Sequence, residues 1–350
     1  MRLRYLQTSL WFLPLAAVIL LGGACSRKSI PVEKQHLSGD GKYDTGPPVQ
    51  GVAGPLEEIA RSVYRLNVIA FYETYTFDKL AAVTAQKLKT EDMTAYAHSH
   101  TISSESVLGT ASVIYSGNGQ AVLLTCAHVV YFPDTVISYF PDNSGFVRSL
   151  AIKLKQKSYV AGLDNPNVKI LAADNKNDIA LLEATVSPVE NIRVLPFPTG
   201  KSSELNWGTF VYVVGFPQGE KMVENGIVSR PDKTGNGFFL TNTLFNRGIS
   251  GGPVFALRDG ASGFEWVGMA KSSPATEFLY LAPSINKRDT YSKSEPYTGK
   301  ILINKKKVIN YGMTYSVSIE EILKFVRRIG PELEKDGFDV QQFFYRPPED

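Results

Sequence analysis

Apolar positions come in short runs along most of the chain. "VLGTASVIYS", "QAVLLTCA", "DTVISYF", "RSLAIKL", "NVKILAAD", "DIALLEATV", "TFVYVVGF", "NGIVSR", "GFFLTNT", "GPVFAL", "FEWVGMAK" and "KILIN" follow one another at close intervals. Turn residues separate them, as in "SGNGQ", "PDNSG", "DKTGNG" and "RDGASG". Short runs rich in Val, Ile, Phe and Tyr, punctuated by Gly, Asn and Asp, predict a β-sandwich or barrel. Three stretches break this rhythm. A short helix is expected after Pro55, leading into a strand over Ser62–Thr74. Residues 77–104 read as an insertion between two strands: Leu80, Val83 and Leu88 have helical spacing, and the rest reads as loop. "SIEEILKFVRRIGPELEKD" predicts a closing helix capped by Ser318, with Glu321 three residues on.

The N-terminus has another pattern. Arg2 and Arg4 precede an apolar run from Leu10 to Leu21, and small residues then lead into Cys25. A basic segment followed by a short apolar one reads as a signal peptide, and the run is short for a transmembrane helix. Small residues running into a cysteine resemble a bacterial lipobox, which implies that Cys25 is acylated and becomes the mature N-terminus. Gly22 stands where that pattern usually has Leu, and Leu21 lies one place further back. A soluble secreted protein and a membrane-anchored one remain alternatives. The expected organisation is a signal peptide over 1–24, a flexible polar linker over 25–54, a domain over 55–335 with the insertion 77–104, and a tail over 336–350. A flexible linker of that length reaches roughly 30 Å, so a tethered domain would work close to a membrane.

Composition narrows the function classes. Of 350 residues, 43% are hydrophobic and 20% charged, with a formal net charge of +3. That near balance gives no electrostatic case for nucleic-acid binding. There are two cysteines. With Cys25 acylated, Cys126 has no partner, so no disulfide is expected and a buried apolar role fits it best. His98 and His100 form a His-Ser-His pair with no Cys or carboxylate cluster in sequence, so neither a metal nor a cofactor is expected.

Candidate chemistry begins at "NRGISGGPVF", Asn246–Phe255. Three glycines around Ser250 permit a tight turn whose backbone N–H groups converge on an oxyanion, and they let a substrate approach closely. A Gly-rich turn with an incidental serine is the plainer reading. A serine hydroxyl needs a base. Of four histidines, His128 in "LLTCAHVV" sits where an apolar strand meets a predicted turn into a helix. The base needs a carboxylate to hold its tautomer. "NKNDIALLEA" offers Asp178 at the edge of an apolar strand, and Asp174 competes with it four residues earlier.

"TCAHVV", "NDIALL" and "NRGISGGPV" occur in the order His, Asp, Ser, which is the chain order of chymotrypsin-like proteases. The sequence resembles that family, and in particular its bacterial HtrA/Deg-type branch, from about Ser62 to Ile329. "VLGTASVI", "GTFVYVVGFPQGEKMVENGIVSR" and "YSVSIEEILKFV" carry the rest of the likeness. The resemblance implies an all-β fold of two six-stranded antiparallel barrels with flanking helices. It makes Ser250 the nucleophile, His128 the general base and Asp178 the orienting acid, with backbone N–H groups of Gly248 and Ser250 as the oxyanion hole. It places Gly268, Met269 and Ala270 along one wall of the primary substrate pocket and Thr243–Leu244 at its base. No acidic residue stands there, so a medium apolar side chain is the expected preference.

The chain departs from the family in several places. Ile249 replaces a small polar residue, Cys126 lies near the histidine, and residues 274–300 replace a short turn. The short tail leads us to expect no PDZ domain. The implied function is a lipid-anchored serine endopeptidase of the bacterial envelope acting on protein or peptide segments; oligomerisation is left open. The alternatives are a catalytically idle or latent module that binds protein partners, and a related acyl-transfer enzyme such as an esterase.

Overall fold

The computed structural model describes residues 39–48, 51–187, 189–260, 263–283, 294, 296, 297, 299 and 301–345. The expectations for the signal peptide and for Cys25 fall outside the described residues. Among those described, no helix is long and apolar enough to cross a membrane.

After the helix α1 (Ala53–Arg61), seven strands build a first sheet: β1 (Val63–Phe77), β2 (Ala97–Gly117), β3 (Gln120–Thr125), β4 (Thr135–Tyr139), β5 (Val147–Ala161), β6 (Val168–Asp174) and β7 (Ile179–Thr185). Their order is β4-β5-β1-β2-β3-β7-β6. Six of them curl around a core that includes Leu66, Val68, Val113, Ile114, Leu123 and Leu181. The gap between β5 and β6 is bridged at Tyr159–Asn167, with Val160 N–H donating to Pro166 O at 2.8 Å. The seventh strand, β4, lies outside this ring on β5.

A second group, β8 (Phe210–Gly215), β9 (Met222–Arg230), β10 (Phe238–Thr241), β11 (Pro253–Leu257), β12 (Phe264–Ser272) and β15 (Thr314–Ser318), forms a closed six-stranded barrel. The all-β architecture expected from the sequence is therefore present, with one strand more in the first sheet. The closing helix α4 (Ile319–Lys335) starts as predicted: Ser318 Oγ accepts from Glu321 N–H at 3.3 Å. It buries Ile319, Ile322, Phe325, Val326 and Leu333. Burial of such side chains is worth about 1.5–3 kcal/mol each, so packing rather than propensity holds the helix.

Three expectations need correction. First, the insertion is only partly irregular. Its first half contains the short helix α2 (Lys87–Thr90), and Val83 packs with Phe77, Val147 and Leu150 in a small separate core. Residues from Ala97 onward belong to β2, which pairs with β1 all the way out to Phe77–Ala97. The polar alternation of "HSHTISSES" reads as loop because both of its faces lie in solvent, where no apolar stripe is required. Second, the long stretch that replaces a short turn contains a strand the sequence reading did not name, β13 (Ala275–Pro283), which pairs with β14 (Ile301–Ile309) in a two-stranded sheet of its own; the expected strand-like run "KILIN" falls at the start of β14.

Third, the linker is shorter than the polar composition suggests. Tyr43 is buried, its hydroxyl donates to Glu265 Oε2 at 2.5 Å, and the Arg258 guanidinium lies 4.1 Å from its ring centre. Asp44 adds two backbone hydrogen bonds, to Leu257 O and from Phe210 N–H, both at 2.8 Å. Burial and the Glu265 carboxylate push the Tyr43 phenol well above its ordinary pKa, so it stays neutral as a donor.

Candidate active site

Both halves of the molecule contribute. From the first sheet, β3 ends at Thr125 and the chain turns through Cys126 into the single helical turn α3 (Ala127–Val130), which carries His128. Asp178 ends the turn between β6 and β7 with a left-handed backbone, φ +62°. This brings its carboxylate under the imidazole. Oδ1 accepts the His128 backbone N–H at 2.8 Å, and Oδ2 lies 2.8 Å from Nδ1. An ionised carboxylate only accepts, so Nδ1 carries the proton and Nε2 presents its lone pair. The imidazole is 44% exposed and the carboxylate 8%. The structure thus brings together His128 and Asp178, the two residues that the sequence reading paired.

Asp174 does something else. Its Oδ1 accepts the N–H groups of Lys176 (3.0 Å) and Asn177 (3.1 Å), and its Oδ2 accepts from Asn177 Nδ2 (3.1 Å) and Arg328 Nη2 (2.6 Å). Burial alone would raise this carboxyl's pKa, but the Arg328 guanidinium and the Asn177 donors outweigh it and the net shift is downward. Asp174 ties the turn that presents Asp178 to helix α4.

From the second barrel, the turn before β11 carries Ser250. Gly248 has φ +106° and Gly251 φ +92°. A Cβ on Gly248 would run into the Phe216 carbonyl oxygen, and one on Gly251 into that of Thr110. The glycines are therefore required by close backbone approach as well as by φ. Among the described residues, the N–H groups of Gly248 and Ser250 donate to no acceptor, whereas Ile249, Gly251 and Gly252 all do. Two unused donors on either side of Ile249 are the kind of arrangement an oxyanion hole needs. Ile249, an unusual residue at its position, is buried in the second barrel's core. The Ser250 hydroxyl donates to Lys271 O at 3.1 Å. It makes no hydrogen bond to His128.

Thr110 was not singled out by sequence reasoning, yet it fastens the two halves together. Its N–H donates to Ser250 O (2.8 Å) and its hydroxyl to Gly248 O (2.6 Å). The same hydroxyl accepts Phe216 N–H (3.0 Å), and its carbonyl accepts the Thr125 hydroxyl (2.7 Å). A threonine amid the apolar residues of "VLGTASVI" was the available signal.

A cleft of 460 Å³ opens beside the imidazole, lined by His128, Tyr131, Asn175, Asp178 and Lys271. None of the residues read as substrate pocket lines it. Gly268, Met269 and Ala270 are buried along β12. Thr243 is buried, accepting from Thr314 Oγ1 at 2.8 Å, and Leu244 beside it is exposed.

Cys126, His128 and Asp178 offer three ligand atoms within 4.8 Å of one another. They fit a metal poorly. Burial and the nearby Asp178 charge push the Cys126 thiol up, its Sγ donates to Ala270 O at 3.4 Å, and the carboxylate is engaged by His128. A metal needs the thiolate.

A model of the trypsin-like peptidase family matches residues 109–269, the segment that contains His128, Asp178 and Ser250. That segment matches a trypsin-like peptidase domain. The chain is also similar to proteins described as probable periplasmic DegP-like serine endoproteases. That of Hahella chejuensis is 40% identical over 97 residues, covering 25% of this chain and 19% of the relative. That of Ectopseudomonas mendocina is 29% identical over 157 residues, covering 43% and 27%. That of Pseudomonas fulva is 32% identical over 141 residues, covering 39% and 24%. The matched part therefore spans about a quarter of these relatives or less. Within the trypsin-like domain, the Asp178–His128 pair comes from the first sheet, and the Ser250 turn with its two unused donors comes from the second barrel.

Proposed function

We propose that the protein is an HtrA-type serine endopeptidase of the bacterial envelope, acting through an acyl-enzyme. Ser250 Oγ attacks the scissile carbonyl carbon and gives its proton to His128 Nε2. Asp178 keeps the proton on Nδ1 and steadies the imidazolium. The carbonyl oxygen, now negative, takes hydrogen bonds from the N–H groups of Gly248 and Ser250. Collapse of the tetrahedral intermediate expels the amine, protonated by His128. A water activated by the same base then hydrolyses the acyl-serine. The observation that carries this reading is the conjunction of the two-point Asp178–His128 contact with the unused N–H donors of Gly248 and Ser250. The similarity to periplasmic endoproteases supports protein substrates and an envelope location. Acylation of Cys25 would hold the enzyme on a membrane.

One observation favours a second reading. The Ser250 hydroxyl rests on Lys271 O. Attack requires it to rotate toward Nε2, so a latent or idle module that binds proteins is the alternative. Fluorophosphonate labelling of the wild type and of Ser250→Ala separates the two. Labelling that requires Ser250, together with hydrolysis of casein and of peptide amides, supports the peptidase. Turnover of esters alone would favour an esterase, and a folded wild type that neither labels nor cleaves would end the enzymatic reading.

A further inference from the structure

Large apolar side chains crowd the surface of β13 and β14. Phe278, Leu279, Tyr280, Leu281, Ile301, Leu302 and Ile303 are all exposed, with Leu279, Leu281 and Ile303 at 67%, 71% and 70%. The register places Leu279, Leu281, Ile301 and Ile303 on one face and Phe278, Tyr280 and Leu302 on the other. A two-stranded ribbon is marginally stable in water by itself, and a contiguous exposed apolar patch of this kind marks a binding surface. The ribbon's base is fastened: Ser273 Oγ donates to Asn310 O and Met313 O, and Asn310 N–H to Pro274 O.

Three further features say what covers it. β13 is the direct continuation of β12, whose Lys271 carbonyl holds the Ser250 hydroxyl, with only Ser273 and Pro274 between them. Both outer edges of the ribbon are unpaired among the described residues, since β13 and β14 pair only with each other. Apolar side chains project from both faces. An extended polypeptide satisfies all three conditions, because it adds to a strand edge through its backbone and packs alternate side chains on either face.

We propose that β13–β14 is an exosite for an apolar, extended segment of an unfolded polypeptide substrate, lying beside the part of the substrate being cleaved. This deepens the peptidase reading and rests on it for the word substrate. Ten residues separate Lys271 from Leu281, at most about 33 Å of strand. A substrate must therefore extend roughly ten residues beyond the scissile bond before it engages both places.

The test uses the full chain with fluorogenic peptides lengthened on either side of one cleavage sequence by an alternating apolar segment, and with unfolded casein. For one of the two directions, kcat/KM should rise about tenfold once the extension passes roughly ten residues, through a lower KM. Leu279→Asp/Leu281→Asp/Ile303→Asp should remove that gain and leave the short peptide unchanged. Leu281→Ala/Ile303→Ala should remove part of it. Fluorescence anisotropy of the labelled apolar segment on the Ser250→Ala chain reads binding without turnover. If the short peptide is not cleaved but the segment binds through the ribbon, the peptidase reading fails and the exosite stands. The exosite fails if the gain is absent at every length, or if the triple variant loses short and long substrates equally. It also fails if that variant instead changes the sedimentation of the free protein or abolishes flotation with lipid vesicles, which would make the ribbon a subunit contact or a lipid contact.

Discussion

The two halves of the candidate site are held by opposite means. On the first sheet, side chains do the fastening: Asp178 grips His128 at two points, and Asp174 pins the turn beneath with four hydrogen bonds. On the second barrel, backbone does it. The Ser250 turn is shaped by glycines that fit against the carbonyls of Phe216 and Thr110, and the unused donors it offers are peptide N–H groups. A side-chain mount is broken by removing atoms; a backbone mount is broken by adding them.

The largest effect should come from the one side chain that the backbone mount presents. Ser250→Ala should lower turnover roughly 10⁶-fold in a casein or peptide assay while the melting temperature stays close to wild type. His128→Ala combined with it should add almost nothing, since such groups act as a unit. Asp178→Asn should cost about 10⁴ in kcat by favouring the wrong tautomer; a variant within tenfold of wild type would show that the base does not depend on its side-chain mount.

Gly248→Ala should cost at least about 10²–10³ in kcat, the usual loss for one oxyanion donor, because its methyl must displace the Phe216 carbonyl. Full activity there would refute the backbone mount. Thr110→Val tests the joint between the halves. It leaves the Phe216 N–H and the Gly248 carbonyl without their partner, so it should lower stability by about 1–3 kcal/mol, read by urea unfolding, with a smaller loss of kcat.

The smallest effect on turnover should be that of Asp174→Asn, and its signature lies in pH. Against the cost of burial, the Arg328 guanidinium and the Asn177 donors hold the Asp174 carboxyl below the ordinary aspartate value in the folded protein. A lowered folded pKa means that its contribution is fully present above the unfolded value and is lost as pH falls through the folded one. Wild type should therefore melt higher than the variant at pH 6, and the gap should close as the buffer is taken below about pH 4. A constant gap would mean that the carboxylate's charge plays no part in the turn.

What was legible in the sequence follows from the same contrast. Ser250, His128 and the closing helix announce themselves locally, through glycines that only a tight turn requires and through a cap three residues from its partner. Asp174 and Asp178 are harder to rank, since both precede the same strand. The deciding quantity is the turn conformation, which points one carboxylate under His128 and the other toward Arg328, 154 residues away in sequence. Thr110 was illegible as a fastener because its partners Phe216 and Gly248 lie on the other barrel. The outer half of β2 was missed because a strand with both faces wet carries no period-two stripe. β13 went unnamed for the converse reason, since its apolar residues occupy both faces, whereas the start of β14 was legible in "KILIN".

The docking of Tyr43 on Arg258 and Glu265 means that the folded body begins ahead of its first helix. Asp44 next to it joins the ends of two barrel strands, donating to Leu257 O and accepting from Phe210 N–H. A form trimmed to the start of α1 would strip the ring from the Arg258 guanidinium, leave Glu265 without its phenol and uncover both strand ends. The stretch whose composition looks dispensable is therefore a piece of the barrel's wall, and a shortened version of the protein must keep it.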